Sequence, residues 1–395
     1  MFDAKTIQSL RADTPGTKER IHFNNAGASL MPTPIIAAIK QHIDLETKIG
    51  GYEAAAQEAE AIQGFYNSTA KLLNTKARNI AYTSNATDSY SKALSSIPFE
   101  QGDIILTTRQ DYASNQIAFL QLAKRFGVQI VRAGNADSGA VDLDSVASLI
   151  RKHQPKLVAI THIPTNSGLI QPVGAIGEMC RKEDILYLVD ACQSAGQVVL
   201  DVEKIRCDFL SVTMRKFMRG PRGAGYLFVS DKVLEMGLEP LFVDLKGATW
   251  YEANNYRPDK TAVRFELWER AYALVLASKA ANKYALGIGM DKIEGRVKKL
   301  AKKIRDGVNS IGGYRVLDIG PELGGIVTLT ANKVQPEPLK KALDARGINT
   351  AMAPLEAAII DFQDKQVEWA IRISPHYYNT NDEIEELLDC LKSML

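Results

Sequence analysis

The sequence predicts an α/β fold: a large domain on a mostly parallel, seven-stranded sheet with helices on both faces, then a smaller α+β domain toward the C-terminus. Three observations carry this expectation. From about residue 60 to 230, short β-like runs alternate with helical patterns. The β-like runs are almost continuously apolar, as strands covered on both faces are. After about residue 245 the regular alternation stops and longer helical stretches take over.

Taken in order, the candidate strands are 79–83, 103–107, 129–132, 156–161, 185–189, 209–212 and 225–229, rich in Ile, Val, Leu and Tyr. Between them, 115–126, 143–153 and 175–183 repeat apolar residues at helical spacing. Farther on, 269–309 reads as helical, 324–331 as a strand, 336–346 as a helix, 370–374 as a strand and 381–394 as a closing helix. The first 30 residues read as an arm that returns to the site. The expected organisation is therefore an N-terminal arm at 1–30, a large domain at 31–250 and a small domain at 251–395. In open parallel sheets ligands sit beyond the strands' C-terminal ends, and Asp190, Asn166 and Thr213 fall at or just past such ends.

Composition excludes several classes. A net charge of +2 across 48 basic and 46 acidic residues gives no field for a polyanion, so no nucleic-acid partner is expected. The basic stretch 296–305 carries Val297, Leu300, Ala301 and Ile304 at helical spacing, so its lysines read as the solvated side of an amphipathic helix. No apolar run approaches the ~18 residues that a membrane span needs. Cys180, Cys192, Cys207 and Cys390 are scattered, with neither a CxxC nor a metal-like pairing with the five histidines. No metal site is expected, and a cytoplasmic, reducing location is.

Two runs carry chemistry. Phe209-Leu-Ser-Val-Thr-Met-Arg-Lys216-Phe-Met-Arg-Gly-Pro-Arg-Gly is an apolar strand ending in a lysine, followed by a tight glycine-proline turn. Such a strand end presents one amine into a cleft. Upstream, Ile185-Leu-Tyr-Leu-Val-Asp190 delivers a carboxylate to its own C-terminal end. A Schiff-base lysine with a carboxylate for a pyridinium nitrogen is the protein's share of pyridoxal phosphate (PLP) chemistry.

With these runs, the ordered set from His22-Phe-Asn-Asn-Ala-Gly27 to Tyr378-Asn-Thr380 resembles the class V aminotransferase family of PLP enzymes of fold type I. The resemblance spans essentially the whole chain and implies pyridoxal 5'-phosphate as cofactor, bound in the large domain. It implies that Lys216 is the Schiff-base lysine and that Asp190 pairs with the ring nitrogen. Gln193 then meets the ring's phenolic oxygen, and Asn166 lies near that oxygen and the substrate carboxylate. Turn chemistry explains Thr165-Asn166-Ser-Gly equally well. Ala86 and Thr87, in a Ser-Asn-Ala-Thr-Asp run that opens a helix, match the phosphate site, as does the hydroxyl of Thr213. A helix N-terminus suits a dianion, although such a run is also an ordinary cap. Tyr112 aligns with the ring that stacks on the cofactor, or is plain packing. Arg372 matches the clamp on the substrate α-carboxylate, a task that guanidinium geometry favours. Asn25 belongs to the motif that lines the entrance and is expected to touch substrate.

Within the family the sequence departs from the cysteine desulfurases. Those need a mobile cysteine, and 346–354, which occupies its place, has none. Arg215 stands before the lysine where desulfurases usually carry histidine. With Arg219 and Arg222 it resembles the branch of isopenicillin N epimerase-like proteins and sulfoxide lyases. Arg264-Phe-Glu266 replaces a Gly-Thr pair that supplies a phosphate contact across the dimer in desulfurases. The resemblance thus implies a C–S lyase acting by β-elimination on a substituted cysteine or its sulfoxide, releasing pyruvate and ammonia, as in ergothioneine and ovothiol synthesis. Tyr112, Arg215 and Tyr82 are the candidates to protonate the leaving group. An aminotransferase or epimerase is the enzymatic alternative, and a desulfurase or a silent PLP-binding protein stands behind it. The expected partners are a small amino-acid substrate and a second copy of the chain, with the active site at the dimer interface.

Overall fold

The computed structural model describes residues 2–395. Apolar runs of four or five residues form the strands Ile80–Thr83, Ile104–Thr107, Gln129–Arg132, Leu157–Thr161, Leu186–Asp190, Phe209–Thr213 and Gly225–Val229. They make one seven-stranded sheet, in the order Ile80–Thr83, Gly225–Val229, Phe209–Thr213, Leu186–Asp190, Leu157–Thr161, Ile104–Thr107, Gln129–Arg132. From Phe209–Thr213 onward the neighbours are parallel, whereas Gly225–Val229 is antiparallel to both of its neighbours. The exception has a simple cause: 214–224 is too short for a crossover helix, which takes a dozen residues or more.

Period-two alternation supplies a core on each face. Val158, Ile160, Tyr187, Val189, Leu210 and Val212 pack into one cluster, and Leu157, Ala159, Leu186, Leu188 and Phe209 into the other. The register sets Asp190 opposite Thr161 on one side and Ser211 on the other, so the central strands end level at one edge.

A second sheet of four antiparallel strands, ordered Tyr314–Val316, Val327–Ala331, Trp369–Ile373, Ala351–Pro354, forms the small domain. The helices Met290–Ile311, Pro336–Ala345 and Asn381–Ser393 bury Leu300, Ile304, Leu339, Leu343, Ile384 and Leu387 in its core. Thr380 and Glu383 cap the last helix reciprocally.

Two sequence expectations need adjustment, and two features were not anticipated. The region 269–309 is two helices, Tyr272–Ile288 and Met290–Ile311, broken at Gly289, whose φ of +95° suits only glycine well. The division between the two cores does not fall at residue 250. Val275, Ala277 and Ala281 pack with the large core, because Tyr272–Ile288 lies on the helices Thr33–Ile49 and Ala59–Leu73, and the cores part within Met290–Ile311. Arg305 is not on the solvated side of its helix: it is buried, bonded to Asp318 and to the carbonyls of Gly324 and Ile326. An antiparallel hairpin, Ala248–Glu252 with Asn255–Pro258, carries exposed Trp250, Tyr251 and Tyr256, and its polar-aromatic sequence shows no apolar period. No helix among the described residues is long and apolar enough to cross a membrane.

Candidate active site

The C-terminal strand edge and the residues just beyond it enclose a cavity of about 360 Å³. Ser84, Asn85, Ala86 and Thr87 line one end, and Tyr112, Asn115, Asp190, Cys192, Thr213, Arg215, Lys216, Arg222 and Gly223 line the rest. A larger cleft of about 720 Å³ lies at the opposite strand edge, among Lys76, Arg181, Asp184, Asp208 and Lys232, and holds none of the candidate residues.

Lys216 follows the end of Phe209–Thr213 and is buried. Burial lowers its pKa from the ordinary lysine value; the Cys192 thiol and Asp190 oppose this, while Arg215 and Arg372 reinforce it. The amine therefore leans toward its neutral, nucleophilic form. A backbone contact fixes its place. Gly196 has φ +89°, and a Cβ there would lie 2.2 Å from the carbonyl carbon of Phe217. The residue after Lys216 thus rests directly on the turn that follows Asp190.

Asp190 is buried and held from two sides. Its Oδ2 accepts from Asn115 Nδ2 at 2.9 Å, and its Oδ1 accepts from the Cys192 backbone N–H at 2.9 Å. Asn115 also donates to Asp111 Oδ1 at 3.1 Å. Burial raises the Asp111 carboxyl, and hydrogen bonds from Thr161, Gln116 and Asn115 oppose the rise. Sequence reasoning passed over Asn115; the available signal was a polar residue on the inward face of its helix.

At the other end the helix Ala86–Ser96 begins with Asn85, whose Oδ1 accepts from the Asp88 N–H at 3.0 Å. Ala86 and Thr87, in the first turn of the helix, line the cavity together with buried Thr213. Both features of the motif are therefore present together: a capped helix and a helix end open to an anion. Tyr112 immediately precedes the helix Ala113–Phe126 and sets its ring centroid 5.8 Å from Lys216 Nζ.

Arg372 projects from Trp369–Ile373. Its Nη1 donates to the Thr165 carbonyl at 3.2 Å and to Thr165 Oγ1 at 2.9 Å, and Asn24 Oδ1 lies 3.5 Å from Nη2. All these partners are neutral, and Nε is buried with none. Burial pulls the guanidinium down to about 10, with Arg215 adding repulsion. A cation held this way calls for an anion. Thr165 was not singled out from the sequence, and Asn24 only as part of the entrance motif 24–27.

One assignment changes. Asn25 is fully buried, with Nδ2 on the carbonyls of Ser374 and His22 and Oδ1 accepting from the Tyr378 hydroxyl at 2.6 Å. Its polar atoms are spent on holding the arm, and the neighbouring Asn24 is the residue that faces the clamp. Asn166 donates to the Ala357 carbonyl at 3.3 Å and ties two loops together. Gln193 donates to Thr165 Oγ1 at 2.7 Å and to the Ala26 carbonyl at 3.1 Å, leaving its buried Oε1 without a partner. Arg219, at φ +57°, is enclosed by Tyr377 and Tyr378 and bonded to Thr14, so it braces the arm rather than the cavity.

These residues fit PLP: a buried amine, a carboxylate at a strand end and a helix N-terminus surround one cavity, beside orphaned polar atoms of Gln193 and Arg372. The fold and site define a PLP-dependent enzyme of fold type I. A model of the family described as Aminotransferase class-V matches residues 21–387, and the chain belongs to that family.

A probable cysteine desulfurase of Pyrococcus abyssi is 28% identical over 400 residues, covering 98% of this chain and 97% of that protein. Another from Halalkalibacterium halodurans is 30% identical over 391 residues, covering 93% and 91%. Among solved structures, the apo cysteine desulfurase of Thermococcus onnurineus superposes with a TM-score of 0.89 at 25% identity, covering 98% of this chain and 97% of that one. The cystine C–S lyase C-DES, in complex with its product cysteine persulfide, shares the fold with a TM-score of 0.85 at 22% identity, covering 96% and 99%. The family is as expected. The expected nearness to the sulfoxide-lyase and epimerase-like branch is not supported by these relatives, which are named as desulfurases.

Proposed function

We propose that this chain is a PLP-dependent C–S lyase that performs β-elimination on a substituted cysteine or cysteine sulfoxide, releasing pyruvate and ammonia. One observation supports the reading: Lys216 and Asp190 line one cavity, Arg372 is near enough to act on the Lys216 amine, and every described cysteine is buried. Cys192 lines the cavity with its thiol buried and pushed well above its ordinary pKa by burial, and then by Asp190. Cys180, Cys207 and Cys390 are buried elsewhere. A persulfide carrier has to be an accessible thiolate, which none of these is.

When bound, PLP supplies an electron sink for the pair released at the substrate's Cα. Asp190, fixed by Asn115 and the Cys192 N–H, would pair with the ring nitrogen and favour its protonated form. Arg372 would take the substrate carboxylate and so orient the substrate's Cα toward Lys216. Lys216 Nζ takes the Cα proton, a task suited to an amine lowered toward neutrality. The Cβ–S bond then breaks with its electron pair leaving on sulfur, and water converts the remaining three-carbon unit to pyruvate and ammonia. Tyr112 and Arg215, both in the cavity lining, are the residues that would protonate the departing group.

A second copy of the chain covers Leu241, Phe242, Leu245 and Trp250 in this proposal, all of them exposed here around a groove of about 380 Å³. Sedimentation of the holoenzyme should give a dimer.

The functional test is pyruvate release from S-substituted L-cysteines and their sulfoxides, with L-cysteine beside them. Pyruvate from a sulfoxide, with little alanine or sulfide from cysteine, is the expected result. Exchange of the Cα proton with solvent deuterium but no pyruvate would replace the lyase with the aminotransferase or epimerase alternative. Alanine formation with sulfur retained on the protein would restore the desulfurase.

A further inference from the structure

Charge in the cavity does not balance in the way that the assigned roles require. Asp190 is the carboxylate among its lining residues, and it is committed to the ring nitrogen. Against it stand Arg215, Lys216 and Arg222 in the lining, with Arg372 close enough to repel both Arg215 and Lys216. Arg222 lies with Gly223 in the turn before Gly225, and a Cβ on Gly225 would lie 2.9 Å from the Asn85 carbonyl carbon. That turn therefore abuts the helix end assigned to the phosphate, which accounts for Arg222. The substrate α-carboxylate accounts for Arg372. Arg215 is left over.

The position of Arg215 is informative. Its guanidinium donates to the carbonyl of Gly27, and the Gly27 N–H closes a turn on the Asn24 carbonyl at 3.0 Å. Asn24 is also the residue beside Arg372. Arg215 and Arg372 are thus moored to one four-residue turn of the arm, on the substrate side of the cavity. Arg215 makes no ion pair among the described residues. The charged group that acts on it most strongly is another cation, Arg222, and only the Cys192 thiol and the Tyr112 hydroxyl offer counter-charge, each of them neutral in its ordinary state. A half-buried guanidinium bonded to one neutral carbonyl between two like charges is costly without an anion.

We propose that the substrate carries a second negative charge on its sulfur substituent, such as a carboxylate, and that Arg215 binds it. This rests on the lyase reading of the site and narrows its substrate to amino acids with two anionic ends. Arg215 accordingly sets specificity, because a site built to pair a charge discriminates strongly against a neutral isostere.

The test uses an isosteric pair, S-carboxymethyl-L-cysteine and S-carbamoylmethyl-L-cysteine, which differ in one charge. Their dissociation constants are read from the absorbance change of the holoenzyme's cofactor on titration, with pyruvate measured in parallel. The expected result is at least about 10-fold tighter binding of the carboxymethyl compound, since hydrogen bonds to charged groups have about that strength. In Arg215→Gln the preference falls to about 2-fold or less, and Arg215→Lys restores part of it. A purely structural role for Arg215 would weaken both ligands alike and leave their ratio unchanged. Equal binding in the unsubstituted enzyme, or a preference that Arg215→Gln leaves intact, overturns the inference. The outcomes also separate it from the reading beneath it. A charge preference without pyruvate removes the lyase assignment and keeps the second anion site, whereas absence of any spectral response removes both.

Discussion

Replacing Arg372 by methionine isolates the carboxylate clamp, because methionine keeps most of the apolar volume and removes the charge. The guanidinium presents two parallel donors, and each charge-assisted hydrogen bond contributes about 1.5–3 kcal/mol. The lower bound for both is about 3 kcal/mol, which is roughly a 150-fold loss in kcat/KM. The effect on the fold should be opposite in kind. Arg372 is bonded only to Thr165 and Asn24, all neutral oxygens, and burial has already lowered its pKa to about 10. Removing an uncompensated cation should leave the melting midpoint of the apoprotein unchanged or raise it. Nor should the variant lose PLP on dialysis, since the groups assigned to ring and phosphate sit on other strands. The assay is steady-state pyruvate release, alongside cofactor retention and thermal unfolding. An S-substituted cysteamine, which lacks the carboxylate, serves as internal control: wild type and variant should handle it equally poorly. Parallel loss of cofactor affinity and kcat/KM, or a kcat/KM within about 5-fold of wild type, would refute the assignment.

Three further outcomes are expected. Gly196→Ala should give little folded holoenzyme, since its Cβ would sit 2.2 Å from the Phe217 backbone at a φ of +89°; Gly287→Ala, with nothing within 4 Å, is the control and should gain stability. Asn115→Leu removes a donor from both Asp190 and Asp111, so it should lower kcat roughly 10-fold and move the acid limb of the pH–rate profile upward, where a structural role would change only the amplitude. Buried His162 is depressed to about 4 by desolvation. Between the ordinary histidine value and that pKa the unfolded chain binds the proton and the folded one does not, so stability falls as pH drops from about 6.5 to 4, by up to roughly 3 kcal/mol. His22 and His376 are lowered in the same direction and add to the loss. Denaturant unfolding at pH 8 and pH 5 measures the effect, and His162→Gln should shrink the difference; an unchanged difference would remove His162 as a cause.

The residues that carry local information were the legible ones. Lys216 and Asp190 end apolar runs, and Ala86 opens a helix behind a strand, so their place at the sheet's ligand edge follows from chain direction alone. Asn25 was misassigned for a physical reason: an amide side chain in a turn bonds whatever backbone approaches it, and that backbone comes from 374, far along the sequence. The hairpin at 248–258 escaped notice because its exposed aromatic side chains have no buried face to impose a period.

By itself the sequence determined the fold class, the strand edge at which chemistry happens, and the absence of a cysteine where a desulfurase needs one. These are written in short-range pattern and in composition. Tertiary structure alone decided that Asn115 fixes Asp190, that Gly196 seats the residue after the lysine, that Asn24 rather than Asn25 faces the clamp, and that Arg215 has no acid to pair with. Each of these is a contact between segments distant in the chain, and its energy depends on distance and burial, which residue order does not encode.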